Sequence, residues 1–458
     1  MRDLVGHCLY FLIPAPFLAN RIFLRFWALR ENNTDLGPDY PLRIAVEKLI
    51  NASYSTISTA EPKPAAVLAV LDQRLHLTYD QRRRSTRIIE EEQVSKHMRL
   101  IYVAPQHGEF VYSGHSSEPF LAEAGAHALS AWREHYGRVA VETLAYGVEA
   151  VLSTQGDAGE LVGRLVLMLA YDYAVESSMS PPPDSPPYPP HFSAGVCVET
   201  FFRSLIPNEH IESFLDSKPV NLPPSASGAD MQLLQYLDVP LRKAFSNASI
   251  RFTHFIQIAD DIHVDLACAA LCRGAAIICH RAQEGVDLVI PVVLNRDKRM
   301  AKEEISAIFV RCKLRNRFPS AALDIDTDSI RFFDSGRLPC IAVIMDLGGA
   351  LDEGEYPAGP AGSFREISNT PSEVHPRYTI TIRGCSSRVY APIEPAEEEL
   401  YEKLLGKNAF SEHPRLRKAN LDAVHRLVPL WSSGDASLDW IKSGSDEGAG
   451  KKRKREND

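Results

Sequence analysis

Cysteine is scarce in this 458-residue chain, which contains eight of them. Eight thiols are too few to form a disulfide framework in a chain of this length, and no CxxC pair occurs. We therefore expect the cysteines to be reduced thiols, as they are in cytosolic and nuclear proteins.

Long uninterrupted apolar runs are also lacking. The stretch richest in apolar and aromatic residues near the N-terminus, residues 4–27, is interrupted by Pro14, Pro16 and Arg21 and would form a poor membrane helix. A signal peptide over residues 9–19 is the alternative, but the apolar pattern continues through Phe26, as in a segment that packs into a fold. We expect no membrane partner.

The signatures of several enzyme classes are missing as well. The sequence has no Walker A motif, no dinucleotide-binding fingerprint, no GxSxG nucleophile elbow and no HExxH motif. Each of these motifs supplies the phosphate cradle, the nucleophile or the metal ligands of its class. The sequence therefore does not support assignment to the kinases, Rossmann oxidoreductases, α/β-hydrolases or zincins.

The charge balance is acidic, because 50 Lys and Arg residues face 59 Asp and Glu residues and give a net charge of −9. This balance argues against indiscriminate binding to nucleic acid, although a local basic patch can still bind phosphate. One such patch lies in the polar tail 443–458, which we expect to be disordered. It consists of Lys451, Lys452, Arg453, Lys454 and Arg455.

A basic run on a flexible tail is the type of segment that nuclear import receptors bind. The tail therefore predicts a nuclear protein with an import receptor among its partners. The alternatives are a solvated tail that no receptor binds and a cytoplasmic protein.

The apolar periodicity divides the chain into two parts. From about residue 40 to residue 178 the period is mostly helical, which predicts an N-terminal all-α helical domain over residues 1–180. Seven prolines in the ten residues 181–190 predict an extended linker, with a polyproline ligand for a protein-binding groove as the alternative. The remainder, residues 191–442, predicts a C-terminal α/β domain.

Short β-branched runs bounded by Gly, Pro and Asp indicate the strands of a mixed sheet in this second part. The predicted strands cover residues 286–294, 305–314, 329–333, 340–347 and 378–383. An apolar helix is predicted over residues 264–281, directly before the first strand, and a closing helix over residues 397–405.

Asp287 and Lys313 form the pair with the clearest chemistry. Asp287 begins one predicted strand and Lys313 ends the next, so a hairpin between the two strands would bring both side chains to one edge of the sheet. A carboxylate there can bind Mg²⁺, and a lysine beside it can orient or deprotonate the attacking water. The structural alternative is an aspartate that caps a strand and a lysine that protects an edge.

This pair resembles the motif of the PD-(D/E)xK, or restriction-endonuclease-like, superfamily. Asp287-Leu288-Val289-Ile290-Pro291 matches the first half, and Phe309-Val310-Arg311-Cys312-Lys313 matches the second half in part. Arg311 occupies the position where the superfamily has Glu or Gln, and an arginine cannot ligate Mg²⁺. The resemblance implies a restriction-endonuclease-like core with a degenerate site. If activity is retained, Asp287 binds Mg²⁺ and Lys313 orients or deprotonates the attacking water.

Residues 234–441 also resemble a lineage-expanded family of basidiomycete fungal proteins. The similarity includes Phe245-Ser246-Asn247-Ala248 and His375-Pro376-Arg377-Tyr378, and in the helical part Ser117-Glu118-Pro119. This resemblance implies no assigned activity.

Glu123 and His127 are a weaker candidate for a metal site. They are four residues apart in a predicted helix and share a face, as metal ligands can. The alternative is a solvated pair on a helix surface.

Together these features predict a protein associated with nucleic acid, in which the metal-dependent nuclease-like site is degenerate. The alternative function is a non-catalytic protein-interaction module that uses the helical part and the proline-rich linker.

Overall fold

The computed structural model describes residues 40–79, 84–103, 112–115, 117–151, 155–178, 191–219, 221, 236, 238–280, 283, 285–298, 300–314, 325, 330–334, 337–348, 358–360 and 375–405. The proline-rich run 181–190, the N-terminal stretch 4–27 and the basic run 451–455 lie outside these residues. The described residues, from 40 to 405, belong to one compact unit.

The helical periodicity predicted before the proline-rich run is confirmed. Six helices cover most of the described residues from 40 to 178: α1 Tyr40–Ile50, α2 Pro64–Leu75, α3 Arg84–Lys96, α4 Pro119–Tyr136, α5 Val139–Val151 and α6 Gln155–Ser178. Pro64 and Pro119 begin their helices, where the missing amide hydrogen costs nothing. A short antiparallel hairpin, β1 Leu100–Val103 and β2 Tyr112–Gly114, interrupts this helical part.

The second part combines five further helices with a mixed sheet. The helices are α7 Val198–Leu205, α8 Asn208–Leu215, α9 Leu241–Ala244, α10 Val264–Arg273 and α11 Glu398–Leu405. The strands are β3 Val196–Cys197, β4 Ser249–Ile250, β5 His254–Gln257, β6 Ala275–Ile278, β7 Leu288–Val293, β8 Ile305–Lys313, β9 Cys340–Asp346, β10 Ala358–Pro360 and β11 Arg377–Arg383.

The strands pair in the order β10-β11-β9-β8-β7-β4-β3, and β6 joins both β7 and β5. The predicted hairpin of β7 and β8 is confirmed, with Leu288 opposite Val310. Side chains from β6, β7, β8 and β9 pack against α10 in one apolar cluster that includes Ile277, Val289 and Phe309.

Two predictions about secondary structure are wrong. The helix predicted over residues 264–281 ends at Arg273, because Gly274 adopts a left-handed conformation, and Ala275–Ile278 forms the buried strand β6. A short run that is buried on both faces has no periodicity by which a strand can be told from a helix. In the predicted strand 329–333, Ile330 is helical and residues 331–333 lie in a turn and a loop, where Phe332 packs its ring against Phe309.

The helices and the sheet pack directly on each other, and the predicted division into two domains is not confirmed. Helix α6 is buried along most of its length. It crosses the sheet closely at Gly163, where a Cβ atom would lie 2.5 Å from the Cys312 Sγ atom. Glycine is therefore required for this contact between α6 and β8.

A buried ion pair holds the helices to the edge of the sheet. Arg74 of α2 donates two hydrogen bonds of 2.7 Å to the carboxylate of Asp172 in α6, and both side chains are completely inaccessible to solvent. The third donor of the guanidinium, Nε, binds the Thr253 carbonyl oxygen at 2.8 Å, directly before β5. Three segments that are far apart in sequence are thus joined at one charged group.

We predict that Asp172→Asn lowers the free energy of unfolding by about 3–5 kcal/mol, because the Arg74 charge would stay buried without its counter-ion. Urea denaturation followed by circular dichroism measures the change. Asp216→Asn is the matched control, since Asp216 forms an exposed pair with Arg242 and its loss should cost less than about 1 kcal/mol. Equal losses in the two variants would contradict this role of the buried pair.

Candidate functional site

The strand directions bring several polar side chains to one end of the sheet. Strand β7 is antiparallel to both β6 and β8, so β6 and β8 run the same way. Strands β5, β9 and β11 share that direction through parallel pairing. The carboxyl ends of five strands and the beginning of β7 therefore lie together, which is where open α/β sheets commonly bind ligands.

The register places three charged residues in a row at this end. Lys313 at the end of β8 is aligned with Asp346 of β9, and Asp346 is aligned with Arg383 of β11. Aligned residues in a parallel sheet have their side chains on the same face. Lys313, Asp346 and Arg383 are thus lateral neighbours, and each is half-buried.

Asp287 and Arg311 extend this row on the other side. Asp287 directly precedes β7, its amide donates to the Val310 carbonyl oxygen at 3.0 Å, and the charges of Lys313 and Arg311 act on its carboxylate. The alternation of β8 puts Arg311 and Lys313 on one face. The Asp287 carboxylate accepts a hydrogen bond of 2.6 Å from the Cys312 amide. We call Asp287, Arg311, Lys313, Asp346 and Arg383 the carboxyl-end cluster.

The two carboxylates of the carboxyl-end cluster are partly desolvated and lie near cations. Burial raises the pKa of Asp287, while the Cys312 amide and the charges of Lys313 and Arg311 oppose that rise. Burial also raises the pKa of Asp346, and the Arg383 charge opposes it. Cationic and anionic side chains thus share this end of the sheet, and Glu160 of α6 adds a third carboxylate that acts on the same Cys279 and Cys312 thiols as Asp287.

Of the residues singled out from the sequence, Asp287 and Lys313 therefore come to the same end of the sheet. Asp265 on α10, another acidic residue near this sheet in sequence, pairs with Lys302. Lys302 directly precedes β8, so Asp265 lies at the opposite end of that strand from Lys313. The import-signal residues 451–455 lie outside the described part of the chain.

Sequence reasoning missed Asp346 and Arg383. Both end strands that the sequence did predict, and a polar residue after an apolar run was the available signal. Their meeting with Lys313 depends on parallel pairing in the order β8-β9-β11, which the sequence pattern does not specify.

A second feature, a cleft of about 530 Å³, lies along β5. We call it the histidine cleft. Helix α2 and the β1–β2 hairpin form one wall, and β5 forms the other. The lining includes Asp72, His76, Tyr102, His115, Ser117, His254 and His280. Because β5 and β6 also end at the carboxyl end of the sheet, the cleft and the carboxyl-end cluster share that end.

The buried histidines of this cleft are uncharged near neutral pH. Burial lowers the pKa of His115 to about 4, although the Asp72 carboxylate opposes the change from 3.5 Å. Burial, with the charges of Arg273 and Arg74, lowers the pKa of His254 to about 3. The His254 Nε2 atom lies 2.8 Å from the Ser117 hydroxyl, but an imidazole of such low basicity is a poor general base.

Comparisons of the chain with protein-family models, curated proteins and solved structures found no match. Among the helices that the structure describes, none is both long and apolar enough to cross a bilayer.

We predict that acidification lowers the free energy of unfolding and that protonation of His115 causes part of this decrease. The folded protein binds the His115 proton more weakly than the unfolded chain, whose histidine has a pKa of 6.5, so stability is lost as the pH falls from there toward about 4. His115→Gln should therefore reduce the loss between about pH 7 and about pH 5 by about 2 kcal/mol. Urea denaturation at the two pH values measures it.

His135→Gln is the control for this experiment, because His135 is exposed on α4. It should leave the pH dependence of stability unchanged. If acidification lowered the free energy of unfolding by the same amount in His115→Gln and in the original protein, this role of His115 would be contradicted.

Proposed function

We propose that the carboxyl-end cluster binds the phosphodiester backbone of nucleic acid, in a nuclease-like core with a degenerate metal site. The observation that carries this proposal is the row of Arg311, Lys313 and Arg383 around two carboxylates at the carboxyl end of the sheet. Guanidinium and ammonium groups are the side chains that most often contact nucleic acid phosphates.

The position of the cluster supports the nuclease-like ancestry. An aspartate at the beginning of β7 and a lysine at the end of its antiparallel neighbour β8 are the features by which the sequence resembles the PD-(D/E)xK superfamily. The mixed sheet with helices on its faces agrees with such a core.

Arg311 is the reason for proposing binding rather than cleavage. Its charge acts on the Asp287 carboxylate, it occupies the position where the superfamily has an acidic or amide side chain, and it repels Mg²⁺. The same charge attracts a phosphate group. One substitution at this position therefore weakens a metal site and strengthens an anion site.

A second candidate is Mg²⁺-dependent hydrolysis, which Asp346 favours. Its carboxylate neighbours Lys313, so Asp287 and Asp346 together offer two acidic ligands beside a lysine that can orient water. In that case Asp346 would replace the ligand that Arg311 cannot supply.

A protein-interaction module remains the alternative from another class. Apolar side chains of Ile88 on α3 and of Ile101 and Tyr102 on β1 are more than half exposed. Such side chains are common at protein interfaces, but single exposed residues are also ordinary on surfaces.

We predict that Arg311→Ala and Lys313→Ala each weaken the binding of fluorescently labelled DNA and RNA oligonucleotides without changing the sequence preference. Each lost phosphate contact should reduce the slope of log K against log salt concentration by about one. Lys302→Ala is the control, because Lys302 lies at the opposite end of β8. Fluorescence anisotropy at several salt concentrations measures the slope.

The basic tail would bind phosphate too, so the comparison is repeated in a full-length chain with residues 451–455 replaced by glutamine. Unchanged binding in both alanine variants would contradict the proposal. Nicking of supercoiled plasmid that requires Mg²⁺ and disappears in Lys313→Ala would instead establish the hydrolytic candidate.

We further propose that the basic run 451–455 directs nuclear import. A fluorescent fusion of the full chain should accumulate in the nucleus, and replacement of the five basic residues by glutamine should abolish that accumulation. Replacement of Arg82, Arg83 and Arg84, a second basic run in the sequence, by glutamine in the same fusion controls for a general loss of positive charge. An even distribution of the unaltered fusion would contradict import.

A further inference from the structure

Three potential metal ligands converge far from the carboxyl-end cluster in sequence. Glu123 and His127 lie one turn apart on α4, and His191 directly precedes the short turn Phe192–Ala194. One ligand atom from each of the three side chains lies within 4.8 Å of the others. The sequence pattern identified Glu123 and His127 as possible ligands, with a solvated pair on a helix surface as the alternative, and did not identify His191.

Burial excludes that solvated alternative. The side chains of Glu123 and His127 belong to residues that are each only 7% exposed. Within the described residues, the buried Glu123 Oε2 and His127 Nε2 atoms have no hydrogen-bond partner. Buried polar atoms of this kind are normally satisfied by a water molecule or a bound ion.

The spacing of the two side chains suits a metal ion. The His127 Nε2 atom lies 3.4 Å from the other carboxylate oxygen, Glu123 Oε1, which also accepts the hydrogen bond of the Phe192 amide. Two ligands bound at ordinary Zn–N and Zn–O lengths in a tetrahedral site are separated by about 3.3 Å. A direct hydrogen bond would bring the two atoms closer together than this.

We propose that Glu123, His127 and His191 bind a divalent transition-metal ion, with Zn²⁺ as the best fit. Two imidazoles and one carboxylate form a ligand set that suits Zn²⁺ better than Mg²⁺ or Ca²⁺, which prefer oxygen. His191 is exposed, so one side of the ion faces solvent and a water molecule completes the tetrahedron.

The surrounding contacts hold the ligands in place. The Phe192 amide donates to Glu123 Oε1 at 2.7 Å, and the Tyr171 hydroxyl donates to the Phe192 carbonyl oxygen at 2.6 Å. The ring of Phe192 packs edge-on against His127 with a centroid separation of 5.4 Å. The ion thus fastens the chain that follows the proline-rich run to α4.

The test is a titration of the purified, chelator-treated full-length protein with Co²⁺ and Zn²⁺. Co²⁺ should produce the visible ligand-field bands of a tetrahedral site, and Zn²⁺ should displace it and raise the melting temperature. His191→Ala should weaken the Co²⁺ affinity by about 100-fold or more. Because His191 is exposed, its loss should leave folding intact.

Glu123→Gln is the second variant, since the amide oxygen can still accept from the Phe192 amide while the charge on the ion is lost. It should weaken Co²⁺ binding to a similar extent. His135→Ala, on the exposed side of the same helix, should bind Co²⁺ like the unaltered protein. Absence of the tetrahedral bands in the unaltered protein, or their full retention in His191→Ala, would overturn the proposal.

Discussion

The contact on which the arrangement of the molecule depends is the buried ion pair between Arg74 and Asp172. A completely buried guanidinium is tolerated only when a carboxylate and further acceptors saturate it, and here Asp172 and the Thr253 carbonyl do so. The position of α2 relative to α6 and to the start of β5 is therefore fixed at one point. Since α2 and β5 are opposite walls of the histidine cleft, the same contact sets the width of the cleft.

The histidine cleft and the carboxyl-end cluster differ in the balance of their positive and negative side chains. In the wall of the cleft, Arg99 pairs with the carboxylates of both Asp72 and Glu90, and the neighbouring His115 stays neutral, so this wall carries no excess of positive charge. In the carboxyl-end cluster, three cations accompany two carboxylates. The proposed phosphate site is therefore the cluster, where guanidinium and ammonium groups lie together, and not the cleft.

Local patterns were sufficient to predict the elements that have a clear period or clear boundaries. The helices before the proline-rich run and the hairpin of β7 and β8 follow from apolar spacing, and Asp287 and Lys313 were identified because they border those strands. Strand β6 was predicted as helix because a short run that is buried on both faces has no distinguishing period.

Contacts between distant segments could not be predicted from such patterns. Asp346 and Arg383 join Lys313 only through the order of parallel strands. The partner of Glu123 and His127 is His191, which follows the proline-rich run, so the burial of the pair depends on a turn that no local signal connects with α4. Arg74 and Asp172 are charged residues in helices, where a surface position is the ordinary expectation.

The distribution of charge limits how the proposed function can operate. The net charge of −9 includes five basic residues at positions 451–455, so the rest of the chain carries −9 − 5 = −14. An acidic body repels nucleic acid at long range, and attraction is confined to places where cations are concentrated. If the carboxyl-end cluster binds phosphate, the surrounding negative charge would therefore orient the nucleic acid toward that end of the sheet, and the binding would be strongly weakened by salt.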